Sequence, residues 1–253
     1  MEETEVIKWA GDLLDETYHF WETEMYTAKD GDTKKALRSG FAVFYSPPRL
    51  HPDIMIIGVN PGGGQDSFDE RRARRIPPTH EYIAYENDSH YPIARCMCGL
   101  FGPERRSLLE QSVKLNLNFF RTRSESTENN QDRRELGLKD LDRLLDYRLS
   151  KFSHQKVEDI IDKLQPRVVL AESIGTFDIL RKFNAFHDYE NLESVTHESG
   201  HKSLDLRRGA ARGGNLLLGI RHPTGSRPPV AKQPELWAKI KDTIARDLAN
   251  VGL

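Results

Sequence analysis

The sequence predicts an α/β fold: a three-layer α/β/α sandwich around a central, mainly parallel sheet of four strands. Two patterns support this prediction. Short runs of consecutive apolar residues, typical of strands buried on both faces, recur along the chain. Segments with helical spacing of apolar residues lie between them, and strands that alternate with helices favour a parallel sheet. The predicted strands are residues 54–60, 113–120, 167–171 and 216–220.

Length and composition narrow the functional class. The 253 residues suit one sizeable domain, and we expect residues 1–253 to form it. A formal net charge of −2 means that any nucleic-acid contact must rest on local basic patches. Cys96 and Cys98 flank one residue, which is too close for an ordinary disulfide and supplies half of a zinc or iron–sulfur ligand set. We therefore expect two core thiols in a reducing compartment.

Membrane insertion and secretion are not expected. No run approaches the roughly 20 apolar residues that cross a bilayer. The first residues, Met1-Glu2-Glu3, are acidic and unlike a signal peptide. The predicted location is therefore the cytoplasm.

Residues 1–40 are predicted to form a helical extension ahead of the sheet. Residues 28–40 are polar and are expected to be a loop. Phe41–Tyr45 is predicted to be a short strand, ended by Ser46-Pro47-Pro48. Apolar residues at helical spacing indicate an amphipathic first helix that packs on the domain. They are Val6, Ala10, Leu13, Thr17 and Phe20.

The stretch 54–65 is the most informative part of the chain. Four apolar residues, Ile54 to Ile57, lead into Gly58-Val59-Asn60-Pro61-Gly62-Gly63-Gly64-Gln65. The strand stops at Pro61, because proline lacks the N–H that a central strand needs. The glycines after it allow the backbone to approach a ligand closely. In open α/β sheets ligands bind beyond the carboxyl ends of the strands, so we expect chemistry in this loop.

Residues 65–92 form a long, charged, irregular inserted loop. Loops of this length in compact domains are usually functional or disordered. Arginines here are interleaved with tyrosines, a combination that suits a nucleic-acid backbone and a stacked base. A solvated charged loop with tyrosines resting on the surface explains the composition equally well. The residues are Arg71, Arg72, Arg74, Arg75, Tyr82, Tyr85 and Tyr91.

The other elements follow from apolar spacing and helix breakers. Helices are predicted at residues 93–101, 141–149, 153–164, 176–183 and 235–248. Ser153 is the predicted cap of the third of these, and Pro166 stops it. Residues 121–135 are expected to be a surface excursion, and residues 184–213 alternate only weakly.

A second loop follows the last predicted strand and consists of Arg221-His222-Pro223-Thr224-Gly225-Ser226-Arg227. It begins at the carboxyl end of its strand, as the Gly58–Gln65 loop does. In a parallel sheet both loops therefore lie at the same edge. Asn60 and His222 are then expected within reach of one ligand.

The two loops, in this order, resemble the uracil-DNA glycosylase superfamily. Gly58-Val59-Asn60-Pro61-Gly62 is similar to the first motif of its mismatch-specific and single-strand-selective branches. His222-Pro223-Thr224-Gly225-Ser226 is similar to the second motif. Asn116 resembles the position whose Asn contacts the base edge, with Asn118 as a close competitor. Residues 168–171, followed by Gly175, resemble the third core strand and its helix, so the resemblance covers short islands within residues 41–230.

The resemblance implies a monofunctional DNA glycosylase with a uracil-DNA glycosylase-like fold. Such an enzyme hydrolyses the N-glycosidic bond of uracil or a related deaminated or mismatched base in base excision repair. By resemblance, His222 donates a hydrogen bond to the base carbonyl that gains charge, and the Asn116 amide matches a neighbouring carbonyl and N–H. Asn60 positions the attacking water. Because Asn cannot take a proton as Asp can, we expect a slower enzyme than in the branches of the family that have Asp at this position.

The remaining site residues are assigned by the same resemblance. The target base leaves the helix and stacks on an aromatic ring, which we expect from Phe68, Tyr85 or Tyr91. Arg227 could fill the place of the flipped-out base, whereas Ser226 could touch a phosphate. The other base-binding residues are Gly58, Val59, Pro61 and Gly62, and the other DNA-binding residues are Gly63, Gly64, Thr224 and Gly225. We expect a monomer that binds DNA, with no iron–sulfur cluster, other metal or cofactor.

Two alternatives stay open. The chain could be a catalytically weak or inactive nucleic-acid-binding protein that keeps the glycosylase fold, and Asn60 in place of Asp is compatible with either. It could instead be a nucleotide-binding or hydrolytic enzyme whose glycine loop holds phosphate. The glycines are not followed by the Lys-Ser/Thr of a P-loop, and the spacing of a dinucleotide fingerprint is missing, which argues against this alternative.

Overall fold

The described strands form one mixed sheet. The computed structural model describes residues 2–59, 69–122, 136–186, 189–196, 204–210, 215–224 and 229–253. The strands within these ranges are β1 Ile54–Gly58, β2 Val113–Asn116, β3 Val168–Ala171, β4 Glu190–Thr196, β5 Leu204–Ala210 and β6 Leu216–Ile220. These described strands make one six-stranded sheet in the order β2-β1-β3-β6-β5-β4.

Helices alternate with strands over much of the described chain, so the predicted α/β class is confirmed. Their bounds are α1 Glu3–Thr27, α2 Gly31–Leu37, α3 Glu70–Ala73, α4 Glu81–Ala84, α5 Pro92–Phe101, α6 Arg106–Gln111, α7 Leu138–Leu144, α8 Arg148–Leu164, α9 Ile174–Leu180 and α10 Pro234–Asn250. Short 3₁₀ turns lie at Asn184–Phe186 and Val230–Lys232.

The strand directions differ from the prediction of four mainly parallel strands, which is not confirmed. β3 is parallel to both β1 and β6. β5 runs antiparallel to β6, and β4 runs antiparallel to β5, so this edge of the sheet is antiparallel. The β4 and β5 strands escaped prediction because residues 184–213 carry charged and polar side chains with only weak alternation, without the apolar runs of β1, β3 and β6.

Close contacts divide the chain into two compact units, each made of separate segments. The first unit comprises Met1–Phe44, Val59–Ile76 and Asn116–Ile160. The second unit comprises Tyr45–Gly58, Pro77–Leu115 and Ile161–Leu253. That residues 1–253 form a single domain stays a prediction.

In the first unit, α1 is amphipathic as its sequence predicts. Its buried residues include Val6, Ala10, Leu13 and Thr17, which are three or four positions apart and therefore share one face. The ring of Phe20 stacks on that of Phe152, with centroids 4.1 Å apart. The predicted first helix is confirmed.

Some local predictions in the first unit are wrong. Residues 28–40 were expected to be a loop but contain α2, because the Asp30 carboxylate accepts a hydrogen bond from the Thr33 N–H at 2.7 Å and caps the helix. Ser153 is not a cap: it lies inside α8, where its hydroxyl donates to the Leu149 carbonyl at 2.9 Å. The fully described segment 41–45 does not form a continuous strand, and Phe41 pairs with Phe120 through an isolated bridge.

In the second unit, helices pack on both faces of the strands. Ile56 of β1 belongs to a buried apolar cluster with Met97 of α5 and Ile240 of α10. On the opposite face, Phe177 of α9 lies against Gly219 of β6. A Cβ atom on Gly219 would come within 2.5 Å of the Phe177 Cβ, so glycine is what lets α9 approach β6 this closely.

The inserted loop predicted over residues 65–92 is partly helical where it is described. It contains α3 and α4, and α5 begins at its end. In the second unit the Glu81 N–H donates to the Tyr45 carbonyl at 2.8 Å, and Tyr82 is completely buried in the apolar cluster. Tyr82 is therefore a core residue. It neither rests on the surface of a solvated loop nor faces a nucleic acid.

Candidate functional site

Three strands of the second unit end at the same edge of the sheet, which we call the carboxyl edge. β3 lies between β1 and β6, with Ile57 opposite Ala171 and Ala171 opposite Gly219. Neighbouring strands are about 4.8 Å apart, so the ends of β1 and β6 are about 10 Å apart. Gly58, which is buried, ends β1 at this edge, and Arg221 follows β6 there.

Most residues of the two predicted loops lie outside the described part of the chain. Asn60, the predicted water-positioning residue, is one of them, and Phe68, a candidate stacking ring, is another. The others are Pro61, Gly62, Gly63, Gly64, Gly225, Ser226 and Arg227. The predicted site residues that the structure describes are Gly58, Val59, Tyr91, Asn116, His222 and Thr224.

Hydrogen bonds in the first unit distinguish the two asparagines that compete for the base edge. The Asn118 side-chain amide donates to the Val59 carbonyl at 3.2 Å, and the Asn118 backbone N–H donates to the same oxygen at 3.0 Å. The amide of Asn118 therefore has a structural role. Asn116 ends β2 and is buried, with 5% of its surface exposed.

In the second unit, His222 is half-buried, and its backbone is held on both sides. Before it, the Arg221 N–H donates to the Asp205 carbonyl at 2.8 Å, which extends the pairing of β5 with β6 by one residue. After it, the Pro223 carbonyl accepts a hydrogen bond from the Ala231 N–H at 3.3 Å. These bonds fix the backbone that carries the imidazole.

The residue before His222, Arg221, forms an ion pair with a buried carboxylate. Arg221 Nη1 donates to Asp205 Oδ1 at 3.2 Å, and the Asp205 side chain is completely buried. The second carboxylate oxygen, Oδ2, is buried and accepts no hydrogen bond within the described structure. Unpaired buried acceptors are rare in native proteins, so this pair is incomplete as it stands. Thr224, two residues beyond His222, is half-buried.

A second buried cluster lies at the carboxyl edge, directly after β3. Glu172 is 3% exposed, and its N–H donates to the Ile57 carbonyl at 2.9 Å. Its carboxylate accepts hydrogen bonds from Lys114 Nζ at 3.2 Å and from the Tyr82 hydroxyl. The Lys114 ammonium also lies over the rings of Tyr45 and Tyr82, at 5.3 and 5.0 Å from their centroids. Both carboxylate oxygens are partnered, and we call Lys114, Tyr82 and Glu172 the Glu172 network.

Tyr82 of the Glu172 network and the neighbouring His80 are held uncharged at neutral pH. Burial, followed by the charge of Glu172, raises the pKa of Tyr82 well above its ordinary value. Burial and the charge of Lys114 lower the pKa of His80 to about 3. Because His80 Nδ1 accepts the Tyr82 N–H at 3.1 Å, the ring proton is assigned to Nε2, which lies 3.0 Å from Ser112 Oγ. The ion pair of Lys114 and Glu172 is therefore surrounded by polar groups that carry no charge.

The described aromatic candidates form a row that runs from the core of the second unit to its surface. The Tyr91 ring lies 6.2 Å from the buried Tyr82 ring and 5.8 Å from the Tyr85 ring, centroid to centroid. Tyr91 is half-buried, and Tyr85 is 41% exposed. Burial and nearby Glu81 and Glu172 raise the pKa of Tyr91, so its hydroxyl stays protonated and bonds to Glu81.

The arginines predicted to contact nucleic acid are not equivalent. In the first unit Arg74 forms ion pairs with Asp15 and Glu70, each at 2.8 Å, and these neutralise it. Arg71 and Arg75 are exposed. Arg74 therefore has a structural role, whereas Arg71 and Arg75 remain candidates for a nucleic-acid contact.

One of the two cysteines is buried, as expected of a core thiol, and the other is only partly buried. Cys98 is buried and Cys96 is half-buried, and both are free thiols. Burial raises the pKa of Cys98 to about 11, so this thiol stays protonated at neutral pH. In the part of the chain that the structure describes, no group of three His, Cys, Asp or Glu residues is arranged to hold a metal ion.

Two comparisons with known proteins give no match. No family model matches the chain, and no curated protein matches its sequence. Within the described ranges, no helix combines the length and the apolar character needed to cross a membrane. The candidate site is therefore argued from its own residues and from the motif resemblance alone.

Sequence reasoning missed the charged residues of the carboxyl edge. Glu172 directly follows the apolar run of β3, and Lys114 interrupts the apolar positions of β2. A charged residue in or just after a strand buried on both faces must have a partner. Lys114 and Glu172 could have been recognised from the sequence on this ground. Their partners could not be named from the sequence, because Lys114 and Glu172 are 58 positions apart.

Proposed function

We propose that the chain is a DNA glycosylase with a three-layer, uracil-DNA glycosylase-like fold that excises uracil or a related deaminated or mismatched base. One observation carries the proposal. β1 and β6 flank β3 in parallel, so the segments that bear the two motifs leave the second unit from one edge, about 10 Å apart. A separation of two strand spacings leaves room for a single pyrimidine ring between them.

The proposed chemistry needs a hydrogen-bond donor fixed in advance. Cleaving an N-glycosidic bond builds negative charge on the departing base, and donors that are already oriented stabilise that charge best. His222 is the proposed donor, and the hydrogen bonds at Arg221 and Pro223 that hold its backbone support this role. Asn60 is proposed to position the attacking water.

The base-reading role is proposed for Asn116. The Asn118 amide is committed to the Val59 carbonyl, which favours Asn116 over its competitor. Tyr91 is the proposed stacking ring among the described candidates, because it is half-buried beside Tyr82, whereas Tyr85 is 41% exposed.

The remaining parts of the proposal concern the surroundings of the base. Gly58, Val59, Pro61, Gly62 and Phe68 are proposed to line its pocket. Gly63, Gly64, Thr224, Gly225, Ser226 and Arg227 are proposed to contact the DNA backbone. We propose a cytoplasmic, monomeric enzyme that needs no cofactor.

A cleavage assay tests the proposal. The purified chain is incubated with a single-stranded oligonucleotide that contains one uracil, and alkali then cleaves any abasic site. We expect product from the wild type, and we expect Asn60→Ala and His222→Ala each to lose about 100-fold or more in rate. His19→Ala, which changes an exposed histidine on α1, is the matched control and should cleave normally.

The outcomes separate the candidate functions. Product that survives both Asn60→Ala and His222→Ala contradicts the proposed site. Oligonucleotide binding without product favours the non-catalytic nucleic-acid-binding protein.

A further inference from the structure

Arg221 is the residue that joins β6 to His222, and its guanidinium is only partly used. A guanidinium carries five N–H donors. Among the described residues, Arg221 makes a single side-chain hydrogen bond, from Nη1 to Asp205 Oδ1 at 3.2 Å. Its side chain is 25% exposed, and its other donors have no partner within the described part of the chain.

Arg208 on the neighbouring strand β5 shows what a structurally committed guanidinium looks like in this protein. Arg208 bonds both oxygens of Asp247, with Nε 2.6 Å from Oδ2, and its Nη1 donates to the Glu193 carbonyl at 3.0 Å. Arg207, also on β5, pairs with Asp178 of α9 through one contact, as Arg221 does with Asp205. Arg221 has neither a two-point carboxylate contact nor a carbonyl acceptor within the described structure, which sets it apart from Arg208.

Asp205 fixes the direction of the Arg221 side chain. Position 205 of β5 lies opposite position 221, as the backbone bond from the Arg221 N–H to the Asp205 carbonyl shows. The Asp205 carboxylate is completely buried beneath the edge. One end of the guanidinium is therefore anchored inward, and a side chain held in this way binds a ligand with less loss of rotamer freedom.

We propose that Arg221 binds a phosphate group of the nucleic acid that occupies the site, next to His222. The inference rests on the proposed function, because it takes nucleic acid as the partner. It adds a residue that the motif resemblance does not include. Arginine suits this role because its planar donors match phosphate oxygens. A chain with net charge −2 also needs such local contacts to hold a polyanion.

The salt dependence of binding tests this inference. Affinity for a short single-stranded oligonucleotide with one uracil is measured by fluorescence anisotropy over a range of salt concentrations. Each phosphate contact contributes about 0.7 to the slope of log affinity against log salt for a single strand. We expect Arg221→Gln to weaken binding about tenfold at low salt and to reduce that slope by about 0.7.

Arg207→Gln is the matched control, because Arg207 lies on the neighbouring strand, pairs with an aspartate and is 28% exposed. It should leave the slope unchanged. Arg221→Lys keeps the positive charge but not the planar donors, so it should weaken binding while retaining the slope. Circular dichroism of each variant checks the fold, and Arg221→Lys keeps the test valid if Arg221→Gln does not fold.

The outcomes distinguish this inference from the proposed function. An unchanged slope for Arg221→Gln, or an equal fall for Arg207→Gln, overturns the inference even if the wild type excises uracil. A reduced slope for Arg221→Gln in a protein that excises nothing supports the phosphate contact and counts against the glycosylase. Absence of any oligonucleotide binding by the wild type overturns both.

Discussion

Two buried carboxylates at the carboxyl edge of the second unit differ in how completely they are satisfied. Glu172 accepts hydrogen bonds on both oxygens, and its cation, Lys114, is itself buried with 3% of its side chain exposed. Asp205 uses one oxygen on Arg221, whose side chain is 25% exposed, and leaves the other unpaired within the described structure. A fully satisfied network rigidifies the fold, whereas a pair with one oxygen left over in the described structure is held less tightly. We therefore regard Glu172 as structural, and Arg221 as the residue of the two pairs that can also bind a ligand.

The largest expected effect on stability comes from breaking the Glu172 network. Glu172→Gln leaves the Lys114 ammonium without its carboxylate in a site that water does not reach. Losing one partner of a buried ion pair costs about 3–5 kcal/mol. Urea unfolding followed by circular dichroism should show a loss of this size.

A double variant controls for charge in this experiment. Lys114→Met together with Glu172→Gln removes both charges and keeps an acceptor for the Tyr82 hydroxyl. It should regain most of the lost stability, because no uncompensated charge is left. A double variant as unstable as Glu172→Gln alone would show that charge pairing is not the reason for the loss.

The second-largest expected loss of stability comes from removing the Tyr82 hydroxyl from the same network. Tyr82→Phe removes a hydrogen bond to a buried carboxylate, which is worth about 1.5–3 kcal/mol. The control is Tyr189→Phe, which removes a bond to the neutral carbonyl of Arg208 and should cost about 1 kcal/mol. Equal losses in the two variants, measured by urea unfolding, would argue against a charged acceptor at Tyr82.

The sequence predicted the parts of the fold that depend on local pattern. The apolar runs of β1, β3 and β6 and the helical spacing of α1 appear directly in neighbouring residues. β4 and β5 were missed because their side chains alternate only weakly. α2 was missed because Asp30 caps a segment that is otherwise polar.

The candidate site was less predictable than the fold, because its contacts are non-local. The Tyr82 hydroxyl meets a carboxylate 90 positions further along the chain, and Arg221 meets one 16 positions earlier. The alternation of strands and helices predicted that β1 and β6, which precede the two motif loops, end at one edge, and these strands do so. That alternation could not show that Asn118 is committed to Val59, since only a folded backbone brings that carbonyl to the amide.

Buried His80, which lies beside Tyr82 of the Glu172 network, should make the stability of the protein depend on pH. The pKa of His80 is about 3 in the folded protein and about 6.5 when unfolded. The unfolded chain therefore takes up a proton as pH falls below about 6.5, while the folded chain does not until about pH 3. The contribution of neutral His80 is present above pH 6.5 and is lost on acidification, by about 2 kcal/mol at about pH 5.

Urea unfolding at a series of pH values measures this effect. His80→Asn keeps an acceptor near the Tyr82 N–H but does not titrate in this range, so its stability should fall less between pH 7 and pH 5. Parallel pH profiles for the variant and the wild type would mean that other groups dominate the acid sensitivity.

The smallest expected effect on stability distinguishes the two carboxylates most clearly. Asp205→Asn removes a charge that is as deeply buried as that of Glu172, yet we expect a loss of about 1 kcal/mol or less. The reason lies in the partner: the Arg221 guanidinium is partly exposed and can be hydrated when its carboxylate is gone, whereas the Lys114 ammonium cannot. The side-chain amide introduced by this substitution would also keep an acceptor for Nη1. If Asp205→Asn proved as destabilising as Glu172→Gln in urea, Arg221 would be part of the structural core, and its assignment as a phosphate ligand would lose its main support.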